Sequence, residues 1–408
     1  MTQFIASIQL ALSSIWANKI RSLMMVLGNI VAVTSIIAVV SLIQGMNAYV
    51  SDAVTREIGI GSFKVEKVGF ITDEEEQRKA WQTRPNVTVA DAEAINSFGD
   101  SVSAVMAEAG AGANLAFGDT TLENTRVRGV SAEYDEFAGY AAERGRLPSR
   151  LEVERGRQVV LLGWDTADKL FKGRTAVDAM IQINGMHFRV VGVSEKKGSM
   201  FGNSQDEFAM IPLGAFYRLF GSRRTLELTV KSVDPGDVTA AMDEARVALR
   251  VKRHLRPKED DDFGIVTSDT LMSFWSSISS GIFAILIGVV SLSLVVGGVV
   301  IMNIMLMVVS ERTREIGLRK ALGARKSDIV LQVLTESTTL STVGGLLGTL
   351  FGFVLAMIIA ALSPLPATIE PWSIPLGLGV TSLVGIFFGL YPAMRAASLD
   401  PIEALRRE

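Results

Sequence analysis

Long stretches without a charged side chain dominate the hydrophobic pattern of this chain. Residues 22–51, 270–310 and 371–394 contain no Asp, Glu, Lys or Arg, and each is longer than the ~20 apolar residues that a helix needs to cross a bilayer. A fourth stretch, 329–369, is interrupted only by Glu336, which is expected either to reach the lipid headgroups or to find a partner inside the helix bundle. The pattern therefore predicts four transmembrane helices, at about 22–45, 282–309, 334–361 and 374–394.

Between the first two spans the pattern changes to short alternating runs separated by turn residues, which is typical of strands and helices in water. Strands are predicted at 62–68, 102–108, 226–232 and 264–267, and helices at 88–97 and 237–251. Thr88 is expected to cap the first of these helices, with Asp91 in its first turn. Asn184-Gly185 predicts the turn of a β-hairpin, and the charge run from Asp73 to Lys79 predicts a solvated loop.

The predicted fold class is an α-helical membrane protein with four transmembrane helices in a one-plus-three arrangement. A large α+β extracytoplasmic domain is inserted between helices 1 and 2, and it is expected to consist of an αβ layer with a β-rich insertion at 110–220. The predicted boundaries are 1–50 for the N-terminus and first span, 51–269 for the outer domain, 270–310 for the second span, 311–328 for a cytoplasmic loop, 329–361 for the third span, 362–373 for an outer loop, 374–394 for the fourth span and 395–408 for the tail.

The orientation follows from the basic residues that flank the spans, because Lys and Arg in short loops stay on the cytoplasmic side. Basic residues occur before the first span, throughout 311–328 and after the fourth span, whereas 361–371 has none. Both termini and the 311–328 loop are therefore predicted to be cytoplasmic, and 52–269 to lie outside. In this interpretation the protein is a multi-pass membrane protein.

A cleavable signal peptide is the alternative for the first span, since Lys19 and Arg21 precede its apolar run. That run is longer than the ~7–15 residues of a signal-peptide core, and no clear small-x-small cleavage site follows it. A soluble protein with buried core helices is also disfavoured, because such helices keep a polar stripe.

The composition excludes several classes of site. The 408 residues include no Cys and only two His, and the net charge is −3. Disulfide scaffolds and thiolate chemistry are thereby excluded, and no basic footprint for nucleic acid is present. No phosphate-binding glycine loop, G-x-S-x-G motif or histidine pair with metal-ligand spacing occurs. We therefore expect the chain not to be an enzyme and to hold no metal or other cofactor itself.

The predicted cytoplasmic loop has the most distinctive pattern of the chain, running Ser-Glu-Arg-Thr-Arg-Glu-Ile-Gly-Leu-Arg-Lys-Ala-Leu-Gly from Ser310 to Gly323. Glu315 precedes Arg319 by four residues, which is the favourable order for an ion pair on a helix. Gly323 is expected to end this short helix and Ser327 to cap the next one. Two interpretations stay open from the residues alone: a basic loop attracted to anionic lipid, or a docking helix for a partner protein.

Small and polar residues in the spans predict helix packing. Gly344, Gly348 and Gly352 lie on one face of the third span, and Gly385 and Gly389 lie on one face of the fourth. Small residues let helix backbones approach each other in lipid, and packing against the chain's own spans is favoured over a dimer seam. Asn303 in the second span is expected to find an interhelical partner and to serve packing.

Several stretches resemble the MacB/FtsX-type permeases of ATP-binding cassette systems, also called type VII or mechanotransmission transporters. Residues 301–305 leading into 311–324 look like the second span and coupling helix of that family. Residues 391–397 through 400–405 look like its C-terminal signature, and 192–202, with 161–163 and 219–221, resemble its periplasmic core.

The resemblance implies a dimeric permease, with a second copy or a related permease, whose coupling helices dock on a cytoplasmic ABC ATPase that binds ATP and Mg. ATP hydrolysis would then move the outer domains through the long first and second helices. A periplasmic adaptor and membrane lipid are further implied partners, and nucleic acid is not. Because MacB carries its ATPase ahead of the first span, the ATPase is expected here in a separate polypeptide. By match to the motif, the docking residues are Glu311, Arg312, Arg314, Glu315, Ile316, Arg319, Lys320, Leu322 and Gly323.

The function expected from this resemblance is ATP-driven efflux or export of a macrolide, another antimicrobial, a peptide or a lipoprotein. The alternative is a regulator that transports nothing and activates an envelope enzyme such as a cell-wall hydrolase. A ligand-sensing receptor is disfavoured because no kinase, cyclase or methyl-accepting segment follows the spans.

Overall fold

The computed structural model describes residues 19–137, 141–200, 203–362 and 371–406. Its first element is a long helix, α1, from Lys19 to Ile58. A helix is the expected form of this apolar stretch, because in lipid the backbone N–H and C=O groups must bond within the segment itself. The chain divides into an α/β unit, Val50–Trp275, and a helical unit formed by the described residues of Met1–Tyr49 and Ser276–Glu408.

The α/β unit alternates short helices with strands. After α1, its helices are α2 (Glu74–Thr83), α3 (Val89–Asn96), α4 (Arg150–Glu154), α5 (Trp164–Phe171), α6 (Leu213–Phe220) and α7 (Val238–Lys252). Its strands are β1 (Ser62–Glu66), β2 (Val102–Phe117), β3 (Thr120–Val130), β4 (Ala142–Gly145), β5 (Val159–Leu162), β6 (Met180–Ile183), β7 (Met186–Ser194), β8 (Ser199–Met200), β9 (Asn203–Ser204), β10 (Phe208–Pro212), β11 (Glu227–Ser232) and β12 (Gly264–Thr267). The hairpin turn between β6 and β7 is confirmed, with positive φ at Asn184 and Gly185.

One sheet runs through the whole unit, in the order β12-β1-β11-β2-β3-β10-β5-β7-β4, with β6 paired to both β2 and β7. The predicted start of an insertion at 110 falls inside β2, which pairs with β11 on one side and β3 on the other. Gly110 and Gly112 are paired with Arg128 and Arg126 of β3. Residues 110–220 therefore continue the sheet and also contribute α4, α5 and α6.

The predicted loop from Asp73 to Lys79 is wrong, because these residues begin the helix α2. The Asp73 side chain accepts hydrogen bonds from the backbone N–H groups of Glu75 and Glu76, at 2.8 and 2.9 Å. The three glutamates from Glu74 to Glu76 fill the first turn, where negative charge interacts favourably with the helix dipole. The charge run is thus the start of a helix.

The helical unit contains the remaining long helices. After α1 come α8 (Ser268–Glu311), the short α9 (Thr313–Ala321), α10 (Lys326–Leu362), α11 (Ser373–Ser398) and the short α12 (Pro401–Arg406). Within the described residues, α1, α8, α10 and α11 are long and apolar enough to cross a membrane. The predicted fold class, with one span before the α/β domain and three after it, is confirmed. The predicted outer loop 362–373 lies mostly outside the described residues.

Candidate functional site

The short helix α9 follows α8 after a single residue, Arg312, whose backbone leaves helical geometry (φ −96°, ψ 17°). Its end is a Schellman motif: the N–H of Gly323 donates to Lys320 O, and the N–H of Ala324 donates to Arg319 O, both at 3.1 Å. Gly323 has φ +98°, a conformation that side chains with a Cβ rarely adopt. The backbone conformations of Arg312 and Gly323 therefore separate α9 from the long helices on either side.

The next helix begins at Lys326, so Ser327 lies inside its first turn and is not the predicted cap. Instead, the Asp328 carboxylate accepts a hydrogen bond from the backbone N–H of Arg325, at 2.9 Å. Asp328 is the third residue of this helix, and it bonds back to the residue before the helix as the third residue of a capping box does. Ser327 was the only cap predicted, and the start of the helix at Lys326 excludes it.

One face of α9 packs inside the helical unit. Thr313, Ile316 and Gly317 are buried, and a Cβ on Gly317 would lie 2.6 Å from the Cβ of Ala404 in α12. The Lys320 ammonium donates to the backbone carbonyls of Ala397, at 2.9 Å, and of Leu399, at the end of α11. This basic residue therefore satisfies the last carbonyls of a neighbouring helix.

Two arginines connect α9 to α10. Arg319 forms the predicted ion pair with Glu315, at 2.6 Å, and also donates to Gln332 Oε1, at 2.5 Å. Arg312 pairs with Glu336, at 3.3 Å. Of the two roles expected for Glu336, the structure therefore selects the partner within the bundle.

The opposite face of α9 is open. Arg314, Leu318 and Leu322 are exposed, the two leucines by 52% and 81%. These three residues lie on one side of the helix because they are four residues apart, which is close to one helical turn. The docking residues chosen from the sequence thus divide into two groups by exposure: Arg312, Ile316, Arg319 and Lys320 are buried or partly buried, whereas Glu311, Arg314, Glu315, Leu322 and Gly323 are exposed. Leu318 belongs to the second group, and the sequence motif had not singled it out.

The glycines of α10 lie against α1. A Cβ on any of the three would lie 2.8 to 3.3 Å from atoms of α1. Gly344 faces Val26 and Asn29, Gly348 faces Ile30 and Val33, and Gly352 faces Thr34 and Ile37. Thr34 Oγ1 donates to Gly348 O at 3.1 Å. On α11, Gly385 and Gly389 face Ser341 and Ser337 of α10. These five glycines therefore pack helices of the same chain. The close approach of Gly28 to Gly297 was not predicted, since isolated glycines do not reveal their partners.

Asn303 differs from its expectation. It is exposed on α8 and makes no hydrogen bond within the part of the chain that the structure describes. The expected interhelical partner is therefore absent from the chain's own described helices. In the same described residues, no group of three or more His, Cys, Asp or Glu side chains lies close enough to hold a metal ion.

Comparison with known proteins places two families on the chain. A MacB-like periplasmic core domain matches residues 22–248, and an FtsX-like permease C-terminal region matches residues 287–401. The chain is 33% identical to the macrolide export ATP-binding/permease protein MacB of Chlorobium luteolum over 407 residues, 100% of this chain and 60% of the relative. It is 38% identical to the MacB of Bdellovibrio bacteriovorus over 288 residues, 70% of this chain and 44% of the relative. The chain thus spans about half the length of these curated relatives.

A second type of relative is matched along nearly its whole length. The uncharacterized ABC transporter permease YvrN of Bacillus subtilis is 30% identical, over 98% of this chain and 99% of the relative. Among solved structures, the periplasmic region of MacB from Actinobacillus actinomycetemcomitans matches with a TM-score of 0.45 and 21% identity, over 54% of this chain and 94% of that one.

Proposed function

The chain belongs to the MacB/FtsX family of ABC transporter permeases, and from this premise we propose that it couples ATP hydrolysis by a cytoplasmic ABC ATPase to movement of its α/β domain. The proposed setting is the bacterial inner membrane, with both termini and α9 in the cytoplasm and the α/β domain outside. The proposed outcome is export of a macrolide, another antimicrobial, a peptide or a lipoprotein.

The exposed face of α9 is the observation that carries this proposal. Leu318 and Leu322 present apolar surface beside the cation Arg314. A basic loop that serves only to attract anionic lipid needs cations alone, whereas a protein partner uses apolar anchors with a charged rim. The combination therefore favours a docking surface for a protein over a lipid-binding loop.

The inner face of α9 supports coupling, because each neighbouring helix of the helical unit holds it through a different contact. Arg312 and Arg319 connect it to α10, Lys320 to the end of α11, and Gly317 to α12. A partner that displaces α9 must therefore also displace these helices or break their contacts. Packed interfaces of this kind transmit discrete shifts better than gradual deformation.

Transmission of movement agrees with the chemistry of the spans better than an ion path does. In the described residues, the buried polar side chains of the helical unit are hydroxyls and one amide, with no charged group. Ionisable residues that face a cavity are the usual sign of an ion or proton pathway. This observation fits both substrate export and the alternative, in which the chain activates an envelope enzyme and transports nothing.

The first experiment tests docking. The tagged full chain, solubilised from its own membranes, is expected to retain an ABC ATPase, and the combination Arg314→Glu with Leu318→Ser and Leu322→Ser is expected to release it. Arg395→Glu, an exposed charge reversal near the end of α11, serves as the matched control and should leave the ATPase bound. Retention by the triple variant would remove the basis for the docking surface. Export of candidate compounds and wall integrity, compared in a strain without the chain, then separate transport from enzyme activation.

A further inference from the structure

A groove on the α/β unit, next to α4, gathers positive charge. Its volume is about 830 Å³, which falls in the ~300–1,000 Å³ range of small-molecule sites. Its charged lining consists of four arginines and two carboxylates: Arg146, Arg155, Arg157, Arg189, Glu152 and Asp178. We call it the arginine groove. It is positive, although the chain as a whole has a net charge of −3.

One of the four arginines is held by the chain itself. Arg146 donates to both carboxylate oxygens of Glu152, at 2.7 and 2.8 Å. The side chains of Arg155, Arg157 and Arg189 are exposed and make no hydrogen bond or ion pair within the described residues. Three guanidinium groups of the arginine groove are therefore available to a ligand.

The chain does not balance these three charges. Asp178 is the remaining carboxylate of the lining, so two positive charges stay in excess. Elsewhere in the α/β unit, Arg128, Arg250 and Arg253 each bond to a carboxylate. The unit thus supplies anions to other arginines and leaves the arginine groove without them.

The turn after α4 fixes the first two of the free arginines. Arg155 follows the last residue of α4, and Arg157 comes directly after Gly156, which has φ +58°. The backbone N–H of Arg157 donates to Glu152 O at 2.8 Å, and Arg218 donates to Gly156 O. These bonds hold the turn before any ligand arrives, which lowers the cost of ordering a binding site.

The third free arginine lies on the neighbouring strand. The backbone N–H of Arg189 donates to Gln158 O at 3.0 Å, and Arg189 is paired with Val159 in the parallel ladder of β5 and β7. Arg157 is thus one strand across from Arg189 and two residues along. Like charges on neighbouring strands destabilise a sheet, so this placement lowers stability unless an anion binds between them.

The rest of the lining is largely apolar. Val159 and Val191 are 8% and 5% exposed, whereas Leu151 and Met180 are exposed by 60% and 49%. A bare inorganic ion would use only the arginines. A ligand that also carries an apolar group gains from covering these four side chains.

The charge and the donors indicate which anion fits. A guanidinium group presents its N–H donors as a planar fork that matches the oxygens of carboxylates and phosphates. A carboxylate brings one negative charge and two oxygens, whereas a phosphate monoester brings about −1.5 to −2 charges and three terminal oxygens. Two excess positive charges and three free guanidinium groups therefore match a phosphate monoester better.

We propose that the arginine groove binds a phosphate monoester with an apolar substituent. Arg155, Arg157 and Arg189 hold the phosphate, and Val159 and Met180 contact the apolar part. A membrane lipid with a terminal phosphate and a soluble phosphate ester share this chemistry. The inference goes beyond the proposed coupling of α9 to an ATPase, and neither depends on the other.

Phenyl phosphate is the probe, because it joins a phosphate monoester to an apolar ring and stays in solution. Calorimetric titration uses the full chain in an uncharged detergent and phosphate-free buffer. We expect phenyl phosphate to bind about tenfold more tightly than benzoate, which has the same ring but one charge and two oxygens. Inorganic phosphate, which lacks the ring, should also bind more weakly. Absent binding of phenyl phosphate, equal binding of benzoate, or tighter binding of poly-glutamate would overturn the proposal.

Variants then locate the site. Arg157→Gln combined with Arg189→Gln is expected to weaken phenyl phosphate binding by at least about tenfold, because two charge-assisted hydrogen-bonding groups are lost. Arg78→Gln combined with Arg223→Gln removes two other exposed arginines of the α/β unit and changes the net charge equally. This control should bind like the natural chain, and both variants should keep its thermal midpoint. An equal loss in both variants would show that overall charge, and not the groove, attracts the anion.

Reconstitution identifies the source of the phosphate. The full chain is placed in phosphatidylcholine vesicles that contain either phosphatidic acid, a monoester lipid, or phosphatidylglycerol, an anionic diester lipid. Weaker phenyl phosphate binding with phosphatidic acid than with phosphatidylglycerol assigns the groove to a lipid, and equal binding assigns it to a soluble ester. No ATPase is present in these titrations, so their failure would leave the docking surface on α9 standing.

Discussion

At the scale of single residues, the carboxylate of Asp91 connects two helices of the α/β unit. Its carboxylate accepts from the Thr88 backbone N–H at 2.8 Å, and it pairs with Lys252 at 2.8 Å and with Arg253 at 3.1 Å. Burial alone would raise the pKa of this carboxyl, but the hydrogen bonds from Arg253 and Lys252 hold the pKa below its ordinary value. Asp91 thereby joins the start of α3 to the end of α7.

Replacing Asp91 by Asn is expected to destabilise the α/β unit by about 3 kcal/mol, because Lys252 and Arg253 lose a buried partner. The folded-state pKa is lowered, so the contribution is complete above the unfolded value of 3.8 and disappears as the pH falls through the folded value. Hydrogen exchange of α3 and α7 amides in the full chain, measured between pH 6 and pH 2, checks both the size and the pH dependence.

The control for this prediction is Asp243→Asn, which removes a carboxylate that is 67% exposed and paired with Arg246. Exposed pairs contribute little to stability, so this variant should resemble the natural chain. Equal protection in the Asp91→Asn and natural chains at pH 6 would contradict the assigned role.

The same residues show what sequence reasoning can reach. The Thr88 cap with Asp91 in the first turn was predicted, because a capping box is local and has a recognisable spacing. The two cations lie 161 and 162 residues further along the chain, and no local pattern connects them to Asp91. The cap was therefore predictable, and the ion pairs were not.

At the scale of elements, the sequence predicted α9, its ion pair between Glu315 and Arg319, and the glycine that ends it, since all three depend on neighbours within one or two turns. It did not predict which face of α9 is buried. That face is set by Ala404, Glu336 and the carbonyls at the end of α11, which belong to other helices. Likewise, Asp73 followed by three glutamates was read as a charged loop, although the same spacing is an N-terminal helix signature.

The seam between α1 and α10 provides a prediction at this scale. Gly348→Leu is expected to destabilise the helical unit by about 2 kcal/mol, because the new side chain would overlap Val33 and the Ile30 carbonyl. Thermal unfolding of the purified chain in detergent should show a lower midpoint. Gly379→Leu is the control, since a Cβ there meets nothing within 4 Å. Equal midpoints of the two variants would show that α1 does not lie against Gly348.

At the scale of the whole molecule, the number and order of the long helices were predictable because lipid imposes a simple requirement on length and charge. The order of strands in the sheet was not, because pairing such as that of β3 with β10 joins residues more than 80 positions apart. The membrane spans were thus predictable from the distribution of apolar and charged residues along the chain, whereas the order of strands in the sheet was not.

The proposed sidedness of the membrane can be tested on the whole chain. With no natural Cys, single cysteines at Asp119, in the turn between β2 and β3, and at Ser327, at the start of α10, give clean labels, and both positions are exposed. A membrane-impermeant maleimide is expected to label Asp119→Cys in intact spheroplasts and Ser327→Cys only after permeabilisation. Labelling of both in intact cells would place α9 and the α/β unit on one side and would contradict coupling through α9.

The strand β2 has a consequence for how the α/β unit responds to load. A single strand of 16 residues hydrogen-bonds to β11 along its first half and to β3 along most of its length, with β6 near its end. The pairings with β11 and with β3 share only Glu108, so the covalent backbone of β2 joins the β11 side of the sheet to the β3 side. A load applied at β11 therefore passes to β3 through the backbone of this one strand.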